Sequence, residues 1–578
     1  MSARRLLWLP LVVVLLAVAY TGWLGWRVQA SLSAAQGSAS RLQQAIDDGD
    51  ASARDTAVTD LRRHADDAVN RTDGAWWGAL THLPFVGDDA TGVRALSRSL
   101  DTVAAGGVQP LSDSVDGLDS LTAGGGVDVH QVEALQRPVS EASRAFARAD
   151  SDLSGLDSSG YVGVLRTKFD RYARLVHDTS VALSSADTAV RVLPTMIGAD
   201  GPRDYLLIFQ NNAEIRATGG LPGSWSVIHA EDGKLKVTQQ GSLQQFPPLP
   251  RPVLPLSKAE LAVHGEQLGT FFADANFTPD FPRAAQLWTA RFEQEFPATH
   301  LDGVLSLDPV ALSYLLKGTG PVTVAGRTIT SENAVDELLS RPYRELEPAQ
   351  QDVLFAHAAK AIFDATTGHL KSPLGFVRGL SRAASEGRFL VSVDDPEVSS
   401  QLAGTRVESA LTGDDGRTPH VDIALNDATG TKMSYYLRYS TDLESTSCQD
   451  QAQRIQASMT LNQKITPEAA RKLPASVTGP GTFGTGRGKQ LVVIDIYAPH
   501  GGTFDSLSIN GKSLTDSLNV THLNGRPVTQ VPIMLSSTKD VVINWTMTTG
   551  PGETGDIHLG MTPSIVPGDN NAVIHSAC

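Results

Sequence analysis

Leu6 to Trp26 is an uncharged run rich in Leu, Val, Ala and Trp, and its length matches the ~20 residues that a membrane-spanning helix needs. Arg4 and Arg5 precede it, and Trp8, Trp23 and Trp26 stand where interfacial anchors are found. The positive-inside bias then gives a cytoplasmic tail (1–5), a transmembrane helix (6–26), and an extracytoplasmic bulk held to the cell membrane by a single pass. A cleaved signal peptide is the alternative, because Val28-Gln29-Ala30 resembles a cleavage site, but the apolar run exceeds an ordinary signal core.

The 578 residues allow roughly three or four domains. A formal net charge of −15 excludes electrostatic capture of nucleic acid, which needs clustered Lys and Arg. Only Cys448 and Cys578 are present. Their spacing is no metal-finger signature, and on the exported side a structural disulfide is the expected state.

From 31 to 195 the chain is poor in aromatics, and apolar residues recur at helical spacing, as in Leu165, Phe169, Tyr172 and Leu175. Gly106-Gly107, Gly124-Gly125-Gly126, Pro110 and Pro138 divide this helical region into hairpins. One aromatic patch, Ala75 to Gly87 with Trp76, Trp77 and Phe85, fits either a segment dipping into lipid headgroups or a packed corner between helices.

The pattern changes at Asp204. Tyr205 to Phe209 is an apolar run of strand length, the mark of a strand buried on both faces, and a polar loop from Gln210 to Gly220 follows it. The Asp232-Gly233 pair signals a hairpin turn. Helices are expected from about Pro282 to Phe296, from Val310 to Lys317 behind an Asp308 cap, from Ser331 to Leu339, and from Pro348 to Ala365. Strands alternating with helices make 200–395 an α/β domain. Short runs split by Gly, Pro, Asn and Asp make 420–578 an all-β sandwich.

The end of the buried strand carries Asn211, Asn212, Glu214 and Arg216, the candidate ligand contacts, because open α/β sheets bind ligands at strand carboxyl ends. Glu214 and Arg216 point to the same side of an extended chain. An Arg fork suits phosphate oxygens, and a carboxylate beside it suits a divalent cation. The plainer reading pairs these two residues with each other. Asp274 is a second candidate, as metal ligand or general base, while Asp280 reads as a helix cap. Arg341 and Arg344 occupy a short loop that either binds an anion or is solvated. No Walker loop, nucleophile elbow or zinc-protease helix is present.

Tyr205 to Gly220, the Trp76 to Gly87 patch and the Asp302 to Pro321 block together resemble an uncharacterised family of membrane-anchored actinobacterial proteins, over roughly residues 1 to 420. More remotely, the α/β part resembles the LytR-CpsA-Psr family, which moves glycopolymers from a polyprenyl-pyrophosphate carrier onto peptidoglycan. The order of Arg216, the Gly303 to Val324 block, Arg341, Arg344 and Gln350-Gln351 carries that likeness. It implies a cell-envelope protein that binds a polyprenyl-phosphate-linked glycopolymer, with phosphotransfer as a further step. Arg216, Arg341 and Arg344 would hold the diphosphate, and Glu214 and Asp274 would flank Mg or another divalent cation. That family places Asp two residues after the loop arginine, where this chain has Thr218. The departure favours the alternative, a non-catalytic glycan- or protein-binding module that uses the sandwich as its contact surface.

Overall fold

The computed structural model describes residues 4–578 except 116, 118–120, 124–125, 369, 480, 482–484 and 537; the side chains of 1–16, 18, 47, 122, 123, 348, 349 and 352 also lie outside the description. The chain forms two compact units, one of residues 1–121 and 129–194 and one of residues 122–128 and 195–578.

The first unit is helical: α1 (Arg4–Asp48), α2 (Ala51–Thr72), α3 (Ala75–Leu80), α4 (Gly87–Val103), α5 (Gln109–Ser114), α6 (Val129–Ser154) and α7 (Gly163–Met196). Asp50 starts α2 by accepting from the Ala53 amide at 2.9 Å. Ala35, Leu61, Ala65 and Ala104 form one small core, and Leu96, Leu153, Phe169 and Val176 lie in another. Leu24 and Val28 of α1 bury against Trp77, Leu80 and Ala90.

This packing bears on the expected anchor. Among the described residues no helix is long and apolar enough to cross a membrane; in α1, Leu24 and Val28 are buried in helix packing, while Tyr20, Trp23 and Trp26 are exposed. The first part of 6–26 lies outside the described side chains. The membrane-spanning segment is therefore not supported, nor is the single-pass cell-membrane location with its extracytoplasmic bulk, and both expectations are withdrawn. The aromatic patch is in part a packed corner: Trp77 is buried with its Nε1 donating to Ala90 O at 2.9 Å, and Trp76 Nε1 donates to Thr21 Oγ1 at 3.1 Å.

The second unit begins with β1 (Thr122–Ala123) and β2 (Gly126–Val127), followed by β3 (Arg203–Arg216), β4 (Gly219–Glu231) and β5 (Lys234–Ser242). Next come α8 (Lys258–His264), α9 (Gln267–Thr270), α10 (Phe281–Glu295), β6 (Gly303–Leu307), α11 (Pro309–Thr319), and the hairpin β7 (Val322–Val324) and β8 (Arg327–Ile329). Then follow α12 (Ala334–Leu339), α13 (Arg341–Glu345), α14 (Pro348–Thr367), α15 (Pro373–Ser385), β9 (Phe389–Val393) and α16 (Pro396–Leu402). Seven strands order as β1-β2-β5-β4-β3-β6-β9, with β3 and β6 parallel and their neighbours antiparallel.

Successive residues of β3 serve opposite faces. Leu206 and Ile208 pack with Trp225, Trp288 and Phe292 on one side, while Leu207 packs with Val310, Leu354 and Ile362 on the other. Asp308 caps α11 through the Ala311 amide at 2.7 Å. The expected loop after Phe209 is strand instead: β3 runs on to Arg216, with irregular register against β4 after Phe209.

The remaining chain forms two facing sheets. β10 (His420–Asp427), β11 (Leu437–Gln449), β12 (Ala452–Gln463), β13 (Gln490–Tyr497), β14 (Thr503–Ile509), β15 (Lys512–Ser513), β16 (Val520–Leu523), β17 (Arg526–Leu535), β18 (Val541–Thr548), β19 (Ile557–Met561) and β20 (Ala572–Ile574) order as β16-β17-β13-β10-β19-β20 and β11-β12-β18-β14-β15. Val492, Ile494 and Ile496 of one sheet meet Ile455, Met459, Trp545 and Met547 of the other in a shared core. Ile215, from the end of β3, inserts into that core, so the α/β part and the sandwich are joined through β3. Cys448 and Cys578 form a disulfide, tying the chain end to β11.

Candidate functional site

The polar residues after Phe209 are buried, and each is held by partners far away in sequence. Gln210 donates to Ser306 Oγ and accepts from the Gly220 amide at 2.8 Å, Thr218 Oγ1 at 3.1 Å and Asn276 Nδ2 at 3.2 Å. Asn211 donates to the Tyr343 hydroxyl at 2.5 Å, and Asn212 donates to Asp308 at 2.9 Å. Gly220 is required here, because a Cβ would lie 2.2 Å from the Asn211 backbone. Buried polar groups seek partners, and this hairpin finds most of them in the protein, with Asn212 Oδ1 left without one among the described residues. Asn211, Asn212 and Thr218 therefore brace the structure.

Arg216 lies at the centre of a buried ion cluster. Its guanidinium lies 3.4 Å from both Glu214 and Asp274, donates to Ile215 O at 3.1 Å and Asp427 O at 3.2 Å, and stacks over the Phe277 ring at 4.9 Å. Its Nε finds no partner among the described residues. Glu214 also receives the Lys432 ammonium. Burial opposes ionisation of Glu214, but Lys432 and Arg216 outweigh it and hold the carboxyl below its usual range. Asp274 goes the other way: burial raises it more than Arg216 lowers it, and Glu214 adds to the rise. Asp427, wholly buried, is likewise raised by burial and then by Glu214.

Arg341 and Arg344 stand on α13 and face acids rather than Arg216. Arg341 pairs with Asp336 at 2.8 Å and Glu337 at 3.0 Å, and Arg344 lies 3.6 Å from Asp336. Asp280 occupies the first-cap position of α10 without a side-chain capping bond, and burial pushes it up to about 6.

A divalent cation does not suit Glu214 and Asp274. Glu214 already carries two fixed positive charges on its oxygens, and Asp274 shares one of them, so a cation placed there would meet repulsion before it met ligands. Among the described residues no group of three or more His, Cys, Asp or Glu is arranged to hold a metal ion.

A cavity of about 190 Å³ opens where the parallel pairing of β3 with β6 ends, at Phe209 and Leu307. Phe209, Leu221, Leu307 and Leu312 line it, and from α14 come Gln351, Phe355, Ala358, Ala359 and Ile362. These α14 residues form one stripe about 16 Å long at ~1.5 Å per residue. Polar groups reach the cavity from Asn211, Tyr343, Gln351 and Lys432, with the Lys432 ammonium over the Tyr343 ring at 5.4 Å. The α14 stripe is legible as an apolar face, but nothing local marks it as a cavity wall. Lys432 was missed because it meets Glu214 from 218 positions away.

Residues 200–343 match a family model described as "Protein of unknown function (DUF4012)". The chain thus carries a domain of unknown function from just before β3 to α13. No curated protein and no solved structure matches the chain. The expected LytR-CpsA-Psr-like fold is accordingly not shown and is withdrawn as a fold assignment, having rested on the order of motifs alone.

Proposed function

We propose that the α/β part binds the apolar chain of an amphiphile in the cavity beside α14, with the polar head beside Lys432, Asn211 and Gln351. The ligand class that the LytR-CpsA-Psr likeness implies, a polyprenyl-phosphate-linked glycopolymer, fits this chemistry. That likeness, and the likeness to an uncharacterised actinobacterial family, belong to this proposal. The observation that carries it is the cavity itself. An apolar void of ~150 Å³ admits benzene, so about 190 Å³ accommodates the first prenyl units of a longer chain, each buried methylene contributing ~0.8 kcal/mol. Binding without transfer is the reading favoured here, because Arg216, Glu214 and Asp274 are engaged with one another.

Calorimetric titration with farnesyl phosphate, farnesol and inorganic phosphate tests this. Farnesyl phosphate is expected to bind and inorganic phosphate alone to give no heat. Lys432→Ala is expected to cost the phosphate ester ~1.5–3 kcal/mol, the range for a hydrogen bond to a charged group, and to leave farnesol unaffected. Ala358→Leu, which fills the void, is expected to abolish binding of both prenyl ligands. Full binding to Ala358→Leu, or equal binding of inorganic phosphate, defeats the reading.

A further inference from the structure

β13 alternates strictly. Val492, Ile494 and Ile496 enter the sandwich core, so Val493, Asp495 and Tyr497 face the outside of the six-stranded sheet. On a free-standing sandwich that is the solvent face, where a carboxylate belongs. Here the α/β part covers it: Tyr497 packs with Ala217 and Val263, and Asp495 is 1% exposed.

Among the described residues Asp495 has no ion-pair partner. Its oxygens accept only from amides, Gln530 Nε2 at 2.8 Å and Asn426 Nδ2 at 3.4 Å. Both amides also reach across the joint. Gln530 donates to Val263 O of α8 at 3.0 Å. Asn426 donates to Phe277 O at 3.0 Å and accepts from the Ala217 amide at 3.0 Å. The carboxylate thus orders the contacts that fasten the α/β part to the sandwich.

The surrounding charges leave it uncompensated. Arg526 of β17 pairs with Asp422 of β10 at 2.5 Å. On α8, Glu260 pairs with Arg283 at 2.6 Å, and burial pushes His264 down to about 4, so it is neutral. Asp280 at the start of α10 is another acid. Among the described residues the buried Tyr497 hydroxyl finds no hydrogen-bond partner.

We propose that docking of the α/β part onto the sandwich is proton-linked through Asp495: the joint takes up a proton as it closes and loosens as the carboxyl ionises. Burial, opposed by the two amides, pushes this carboxyl up to about 7, from ~3.9 in an unfolded chain. For an acid raised on folding, the stabilisation is complete below the unfolded value and is lost as pH rises to the folded one, here between about pH 4 and 7. Glu214 acts in the opposite sense, because its carboxyl is lowered, but only below the usual carboxylate range. Asp280, raised to about 6, adds to the slope at its lower end, and Glu553, raised to about 7 by burial, titrates in the Gly550 turn of the sandwich.

Hydrogen exchange of the full chain at pH 5.5 and 8.0, corrected for intrinsic rates, reads the joint directly. Peptides covering 217–221 and 258–279 are expected to lose protection about tenfold or more on raising the pH, while β12 and β18 in the sandwich core change little. Asp495→Asn is expected to flatten that difference, and Glu553→Gln and Asp280→Asn to retain most of it. A wild-type loss that is absent, or that is uniform across the sandwich core, overturns the proposal even if Asp495→Asn fails to fold. So does an Asp495→Asn variant with wild-type pH dependence.

Discussion

Arg388→Ala is expected to remove about 3–5 kcal/mol of stability, the range for deleting one partner of a buried ion pair. Arg388 is fully buried and donates to Glu386 at 2.6 Å, Asp308 at 2.9 Å, and the carbonyls of Ser564 at 2.6 Å, Val566 at 2.8 Å and Gly568 at 3.4 Å. One guanidinium therefore connects the start of α11, the turn before β9 and the strap that follows β19. Burial alone would lower its pKa, but Asp308 and Glu386 raise it further still. Alanine takes one charged donor from two buried carboxylates and three carbonyls; Asp308 keeps Asn212 and the Ala311 amide, and Glu386 keeps Tyr314 and Arg382. The sign of the pH effect follows from Glu386. Burial favours its neutral form, but Tyr314 and Arg388 outweigh burial and hold it low in the wild type. In the variant that restraint weakens to Tyr314 and the partly exposed Arg382, and protonating Glu386 relieves the less compensated buried charge. Urea unfolding should therefore show a gap between wild type and variant that is widest at neutral pH and narrows toward pH 4.

Arg216→Ala is the second large effect, and it separates a structural arginine from a ligand-holding one. The side chain is 5% exposed, and its removal leaves Glu214 with Lys432 and takes from Asp274 its ion-pair partner among the described residues. Destabilisation of about 3–5 kcal/mol is expected by the same argument. Arg216→Lys should restore part of it, since an ammonium supplies charge without the planar fork that reaches Asp427 O and Asp274 together. Affinity for farnesyl phosphate, measured well below the melting temperature, is expected to change less than for Lys432→Ala. A variant that keeps wild-type stability and loses the ligand would return Arg216 to the role its sequence position suggested.

What could be read from the sequence was what is local. The apolar run of β3, the Asp308 cap and the apolar stripe of α14 depend on neighbours within a turn or on a simple period. The run from Gln210 to Thr218 misled because polarity was read as solvent exposure. Its partners Ser306, Asp308, Asn276 and Asp427 stand 58 to 211 positions away, and only the assembled fold brings them to the strand. Arg341 was closer to legible, since Glu337 lies only four residues before it, across the short break between α12 and α13, and pairs with it. Asp495 alternates as a solvent-facing residue should, and its burial depends on a second body of structure that no local pattern announces. The apolar residues of 6–26 were read by length and hydropathy, whereas in the described part of that segment Leu24 packs against Trp77, Leu80 and Ala90 and Tyr20, Trp23 and Trp26 are exposed.

The central claim is that an apolar chain enters the cavity between the large sheet and α14. A prenyl phosphate carrying a photoreactive benzophenone, irradiated with the full chain and mapped by mass spectrometry, tests it most directly. Adducts are predicted on α14 between Gln351 and Ile362 and on β4 between Leu221 and Ser224, and Ala358→Leu should eliminate them. Labelling confined to the sandwich, or α14 labelling undiminished in Ala358→Leu, would contradict the account.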